Sequence, residues 1–218
     1  MPVDRSRRLL FVHVPKTAGT SVERATGLLG DWRIEDPERL FGLACTRPPD
    51  GRRFGSAFLQ HLTYRELARV LDRETLANLR TFTVVRNPWD RLVSVYANPD
   101  PHLLTQSAEL GVALAGIGFS EFLERTLGLE HAHLRPQLDY LLDDRGDVAV
   151  DHVLRFERLT EDFERFCRRM GIGAVALPHE NRSARGPYSA YYDDRTRALV
   201  AQRYACDIET FGYRFGLS

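Results

Sequence analysis

Lysine is almost missing from this chain. Of its 218 residues 30 are basic, Arg supplies all of them but one, and the one lysine is Lys16. A chain that otherwise uses Arg everywhere has kept one compact, mobile ammonium at one place. An excess of charge is also missing: 30 acidic residues balance the 30 basic ones, so no global field draws the chain to nucleic acid or to an acidic membrane, and any anion site must be local. Cysteine is scarce. Cys45, Cys167 and Cys206 form no C-x-x-C pair and no metal-ligand spacing, and their odd number argues against a disulfide framework. No apolar run approaches the roughly 20 residues of a membrane span, and Arg5, Arg7 and Arg8 lead straight into a short apolar segment that lacks the form of a signal peptide. These absences give the expectation of a cytoplasmic protein with no membrane span and no nucleic-acid partner; oligomeric state is not readable.

What is present is ordinary for a compact fold: 43% hydrophobic and 28% charged residues over a length that suits one domain, residues 1–218. Three short apolar runs read as strands. Leu9 to Val14 stops at Pro15, Thr81 to Val85 ends at Arg86-Asn87-Pro88, and Val148 to Phe156 is rich in β-branched residues. Helical patterns lie between them. Thr63 to Glu66 has the spacing of a capping box and opens a segment to about Leu79, read as two short helices. Thr160 starts a helix with Phe163, Phe166 and Cys167 on one face and Gly171 at its stop, and Asp194 to Tyr204 reads as another. Arg47 to Arg53 and Ala113 to Gly118 read as loops. Strands alternating with helices predict an α/β fold, a P-loop-like three-layer α/β/α sandwich around a central parallel sheet.

The chemistry-bearing residues fall at the ends of the expected strands. His13-Val-Pro-Lys-Thr-Ala-Gly-Thr-Ser21 follows one strand and enters a helix, an arrangement that aims backbone N–H groups and the positive end of the helix dipole at an anion. Gly19 permits close backbone approach, Thr17, Thr20 and Ser21 offer hydroxyls, and Lys16 adds a full charge. The triphosphate pattern G-x-x-x-x-G-K-[ST] is absent, because the lysine precedes the glycine and the leading glycine is missing. Arg86-Asn-Pro-Trp-Asp-Arg-Leu-Val-Ser94 again runs from a strand end into a helix. Arg86 and Ser94 either converge on one phosphate or belong to a structural Arg–carboxylate pair with an Asn-Pro turn. His61, just before the capping box, is either a packing residue or a base placed over the anion. His131, His133, Arg135 and Gln137 form the other dense polar group, either an acceptor pocket or a satisfied helix start; the His-x-His pair lacks a third ligand at a recognisable spacing, so no metal is expected. Asn181 to Tyr188 is a Gly- and Pro-containing loop with Arg182, Ser183 and Arg185, and Tyr188, Tyr191 and Tyr192 serve packing or acceptor contact.

HVPKTAGTS near the N-terminus and RNPWDRLVS later in the chain resemble the 5′-phosphosulfate loop and the 3′-phosphate motif of sulfotransferases that use 3′-phosphoadenosine 5′-phosphosulfate (PAPS), particularly the carbohydrate-type, family 2-like members. The resemblance extends more weakly through His131 to Gln137, Arg155-Phe-Glu-Arg-Leu159 and Tyr204 to Tyr213. It implies that Lys16, Thr17, Ala18, Gly19, Thr20 and Ser21 hold the 5′ end of PAPS, that Arg86 and Ser94 hold its 3′-phosphate, and that a late loop with Arg182, Ser183 and Arg185 closes over the nucleotide. It implies Lys16 and His61 as the catalytic pair, His61 being the one histidine between the two motifs. The expected product is 3′-phosphoadenosine 5′-phosphate (PAP), with no metal, and the acceptor is a carbohydrate or small-molecule hydroxyl near His131, His133, Arg135 and Gln137. The rival readings are a P-loop kinase using ATP and magnesium, which lacks its aspartate after a later strand, and a non-catalytic PAP-binding protein.

Overall fold

The structure is a computed structural model that describes residues 2–31, 33–36, 38–42, 58–173, 175–177 and 186–216. Strands β1 (Val3–Asp4) and β2 (Leu9–Val12) precede helix α1 (Gly19–Thr26); a 3₁₀ turn at Leu59–His61 leads into α2 (Tyr64–Val70) and α3 (Arg73–Asn78). Next come β3 (Arg80–Val85), α4 (Pro88–Ala97), α5 (Pro101–Glu109) and α6 (Phe119–Thr126), then β4 (His152–Arg155), α7 (Leu159–Met170), α8 (Asp194–Arg203) and α9 (Ala205–Phe211). The sheet order is β1-β2-β3-β4, with β2, β3 and β4 parallel and β1 antiparallel at the edge.

The three layers follow from the two-residue period of a strand whose faces are both covered. Leu9 and Phe11 point to one side, where α1 and α7 supply Val22, Phe163 and Phe166, and Phe82 stacks between Phe11 and Phe166 at ring distances of 4.9 and 4.4 Å. Leu10 and Val12 point to the other side and meet Leu67, Leu79 and Phe211 from α2, the end of α3 and α9. Each fully buried phenylalanine contributes about 1.5–3 kcal/mol through burial. A third cluster, with Trp89, Leu92, Leu123 and Val200, joins α4, α6 and α8.

The expected mixed α/β sandwich with a mainly parallel sheet is present. The capping box is formed: the Thr63 hydroxyl accepts from the Glu66 N–H, and the Glu66 carboxylate accepts from the Thr63 N–H at 2.6 Å. Gly171 ends α7 with a positive φ, as expected. The third run yields a shorter strand than the sequence suggests. Asp151 turns its carboxylate onto the Thr81 N–H and hydroxyl at 2.8 and 3.0 Å, so only His152–Arg155 pairs with β3, Val148 bridges to Leu142 alone, and Phe156 enters a 3₁₀ turn. The Arg47 to Arg53 loop, Cys45 and the late loop residues Arg182, Ser183 and Arg185 lie outside the described residues. Among the described residues no helix is long and apolar enough to cross a membrane.

Candidate active site

β2, β3 and β4 all end on the same side of the sheet, the side where open parallel sheets hold ligands. The loop after β2 is the centre of what gathers there. Its four consecutive carbonyls, His13 to Lys16, each accept from a side chain: His61 Nδ1 at 3.1 Å, Thr17 Oγ1 at 2.8 Å, Arg91 Nε at 3.0 Å and Arg86 Nη1 at 3.0 Å. Carbonyl and N–H of a peptide unit point in opposite directions, so the Pro15 and Lys16 carbonyls, fixed toward the protein, turn the Lys16 and Thr17 N–H groups the other way. Among the described residues no acceptor meets the N–H groups of Lys16, Thr17, Ala18 and Gly19. Lys16 and Ala18 both take the left-handed backbone region at φ 68°, a conformation that costs a non-glycine residue about 1–3 kcal/mol and clusters at functional loops. The first residue of α1, Gly19, follows with no side-chain cap and no acidic residue in the first turn. Unpartnered N–H groups, an uncapped helix start and a lysine make a cradle suited to an anion.

Lys16 Nζ rests on the carbonyl of Asn98 at 2.6 Å. Burial lowers its pKa to about 8, with Asp100 opposing the shift and the Arg86 charge reinforcing it. Thr17 is fully buried, and its hydroxyl proton is committed to Val14, so its contribution to an anion is the backbone N–H. Thr20 is exposed and Ser21 is buried in the first turn of α1.

Arg86 stands at the tip of β3. It donates to Asp90 from Nε at 2.8 Å and Nη2 at 2.7 Å and lies 3.8 Å above the Phe156 ring. Of the two sequence readings of this segment the Arg–carboxylate pair is present, and the same guanidinium touches the Lys16 carbonyl. Ser94 is half-buried one helical turn beyond Asp90 and shares its face of α4.

His61 lies in the 3₁₀ turn, not at a strand end. Its Nδ1 must carry the proton because the His13 carbonyl can only accept, which leaves the Nε2 lone pair without a partner among the described residues. Burial pushes its pKa well below the usual histidine value, and the neighbouring His13 adds to that. The ring meets His13 at 4.5 Å and His133 at 5.8 Å, and His131 lies 5.3 Å from His133. His131 has the opposite tautomer. Its Nδ1 accepts from the His133 N–H at 3.1 Å, so the proton sits on Nε2, and burial lowers its pKa to about 4. His133 is likewise held neutral by burial, with an Nδ1 that is fully buried and unpartnered. The structure thus brings His61, His131 and His133 together.

Arg135 and Gln137 turn elsewhere. Arg135 lies toward Glu66 at 3.9 Å and over the Tyr140 ring at 5.5 Å. Gln137 is fully buried: its amide oxygen accepts from the Arg86 N–H at 2.8 Å and its amide nitrogen donates to the Arg86 carbonyl at 2.7 Å. Asp207 of α9 accepts from the Gln137 and Leu138 N–H groups, both at 2.8 Å, and its burial raises its pKa. Tyr188, Tyr191 and Tyr192 pack against the α4–α6–α8 cluster, with the Tyr192 hydroxyl donating to the Trp89 carbonyl at 2.8 Å.

Two residues that contact this region escape sequence reasoning. Arg91 is completely buried and donates to the carbonyls of Pro15, Arg135 and His133 at 3.0, 3.0 and 3.1 Å. Glu23 is buried against His13, its carboxylate accepting from Nδ1 at 2.6 Å. The signal for Arg91 was its place one turn into the helix of the RNP segment; Glu23 had none beyond a charge among small residues at a helix start.

Among the described residues no group of three or more His, Cys, Asp or Glu side chains could hold a metal ion. The model of the sulfotransferase family matches residues 1–214, and the chain belongs to that family. No curated protein and no solved structure gives a significant match.

Proposed function

We propose that the protein transfers a sulfuryl group from PAPS to a hydroxyl of a carbohydrate or small-molecule acceptor. One observation carries the reading: two segments far apart in sequence, one with His61 and the other with Arg86 and Arg91, donate to the carbonyls of one loop, and that loop's N–H groups, beside the single lysine, are left without acceptors. When bound, PAPS supplies the sulfuryl group and leaves as PAP. The N–H groups of Lys16 to Gly19 and the Lys16 ammonium bind the 5′ end and hold the charge that grows on the departing phosphate oxygen. Arg86, with Ser94 on the same side, binds the 3′-phosphate, the group that separates PAPS from ATP. His61 Nε2 takes the hydroxyl proton as the acceptor oxygen bonds to sulfur, and the His13 carbonyl holds the opposite ring edge. His131, with its proton on Nε2, donates to the acceptor, and the neutral histidines around it suit an uncharged hydroxyl compound.

Calorimetric titration with PAP, beside ATP with magnesium, tests the reading. PAP should bind in preference to ATP. Lys16→Ala should weaken PAP by roughly 10- to 100-fold, the worth of a charge-assisted contact, Arg86→Ala should remove the preference over ATP, and His61→Ala should keep PAP affinity while abolishing turnover of PAPS. A chain that prefers ATP with magnesium is a kinase, and one that binds PAP but never turns over PAPS is a binding protein.

A further inference from the structure

Glu23 and His13 form a buried pair that the proposed chemistry does not use. They are 2% and 7% exposed, and the carboxylate accepts from Nδ1 at 2.6 Å. His13 follows β2 and Glu23 lies on α1, so the pair ties together the two elements that flank the anion loop. His13 does two further things. Its backbone carbonyl fixes His61 Nδ1–H at 3.1 Å, and its ring packs edge to face with His61 at 4.5 Å. On the other side Nε2 lies against the start of α1: a Cβ added to Gly19 would be 1.8 Å from it. Phe11 stacks on the same ring at 5.2 Å and closes its third side. A ring packed on three sides has one orientation once its Nδ1–H is committed, and the carboxylate of Glu23 is what commits it.

We propose that Glu23 and His13 are a positioning pair: Glu23 fixes the His13 ring, and His13 then sets both the tautomer of the base His61 and the height of the Gly19 turn, so that base and anion loop keep one spacing. The inference rests on the reading of His61 as the base. Any loss of the pair should therefore be felt at two places that have no direct contact with Glu23, the His61 ring and the anion loop.

Ring-nitrogen NMR of histidine-labelled protein reads the first place, with the His61 signals assigned by their loss in His61→Gln, and calorimetry with PAP reads the second. The wild type should show His61 as one Nδ1–H tautomer. In Glu23→Ala the His61 nitrogens should move to values averaged between the two tautomers, and PAP affinity should fall at least tenfold. Glu23→Gln, whose amide oxygen still accepts from Nδ1–H, should restore both. His13→Asn keeps a donor to Glu23 and the backbone carbonyl but removes the ring that holds His61 against that carbonyl, so it should lose both the single His61 tautomer and PAP affinity. A His61 tautomer unchanged in Glu23→Ala, or a Gln variant no better than the Ala variant, overturns the proposal. Should Glu23→Ala fail to fold, Gly19→Ala asks the same question from the other side, since its Cβ must drive the ring out, and an unmoved His61 tautomer then overturns the proposal. If the wild type does not bind PAP the sulfotransferase reading falls, while the ring-nitrogen signals still report whether Glu23 governs His61.

Discussion

Lys16 is a side chain whose charge is both needed and discouraged. Burial brings its pKa down to about 8, against 10.5 for a free lysine, so the free protein begins to lose the ammonium just above neutrality. A bound anion favours the charged form. PAP affinity should therefore be flat below pH 8 and fall by up to tenfold per unit above it, as binding has to recruit a proton. Lys16→Arg, whose guanidinium stays protonated throughout, should remove the alkaline fall even if its geometry lowers affinity overall. Calorimetry in buffers of different ionisation enthalpy would detect the proton taken up by the wild type and its absence in the Arg variant. A wild-type affinity unchanged between pH 7 and 10 would show that the ammonium is not part of the anion site.

The segment around Gln137 shows what elements do to one another. Gln137 pairs its amide oxygen and nitrogen with the backbone of Arg86, the nitrogen also donating to Asp207 at 3.3 Å, and the Asp207 carboxylate of α9 accepts from the N–H groups of Gln137 and Leu138. The strand tip that carries Arg86 is thereby held by a helix near the end of the chain. Gln137→Leu fills the space but strands the Arg86 N–H and C=O, at about 1–3 kcal/mol for each buried unpartnered group. Thermal unfolding should show a loss of roughly 5–15 °C, given about 2–4 °C per kcal/mol for a domain of this size. An unchanged midpoint would mean that water replaces the amide. This arrangement was not legible in the sequence, where Gln137 stands among polar residues and reads as a pocket lining. Local signals were legible: the Thr63–Glu66 box, the Gly171 stop and the strand tip before Arg86 all lie where short-range rules put them, whereas β2 ends at Val12, two residues before the expected Val14. Helices α5 and α6 were not read, although Asp100-Pro101 is a helix-start signal, with the Asp100 carboxylate accepting from the His102 N–H at 2.9 Å. What the sequence hides is pairing across long separations, because a side chain's partner is chosen by the fold and leaves no mark at either position.

At the scale of the molecule the two halves of the site meet at Arg91. Its guanidinium reaches the anion loop through Pro15 and the histidine segment through His133 and Arg135, all at main-chain carbonyls. No carboxylate is paired with it at ion-pair distance among the described residues. Arg91→Met keeps the packing volume and strands three carbonyls, at about 1–3 kcal/mol each, so a loss of at least about 3 kcal/mol is expected. PAP binding and PAPS turnover should fail together, because both halves lose their common support. Arg91→Lys should recover only part, since an ammonium cannot reproduce the planar fork that reaches three directions. Full PAP affinity in a folded Arg91→Met would show that the loop stands without it.

Because Arg91 grips the histidine segment by its backbone, that grip does not depend on which side chains the segment carries. Three side chains there have ties of their own: the His131 ring accepts from the His133 N–H, Leu134 is buried in the core and Gln137 is bound to Arg86. The His133 side chain, whose Nδ1 has no partner, can therefore change identity while the peptide path beneath it stays put. A side chain on a fixed rail can thus vary without any change to the loop of N–H groups on the other side of Arg91.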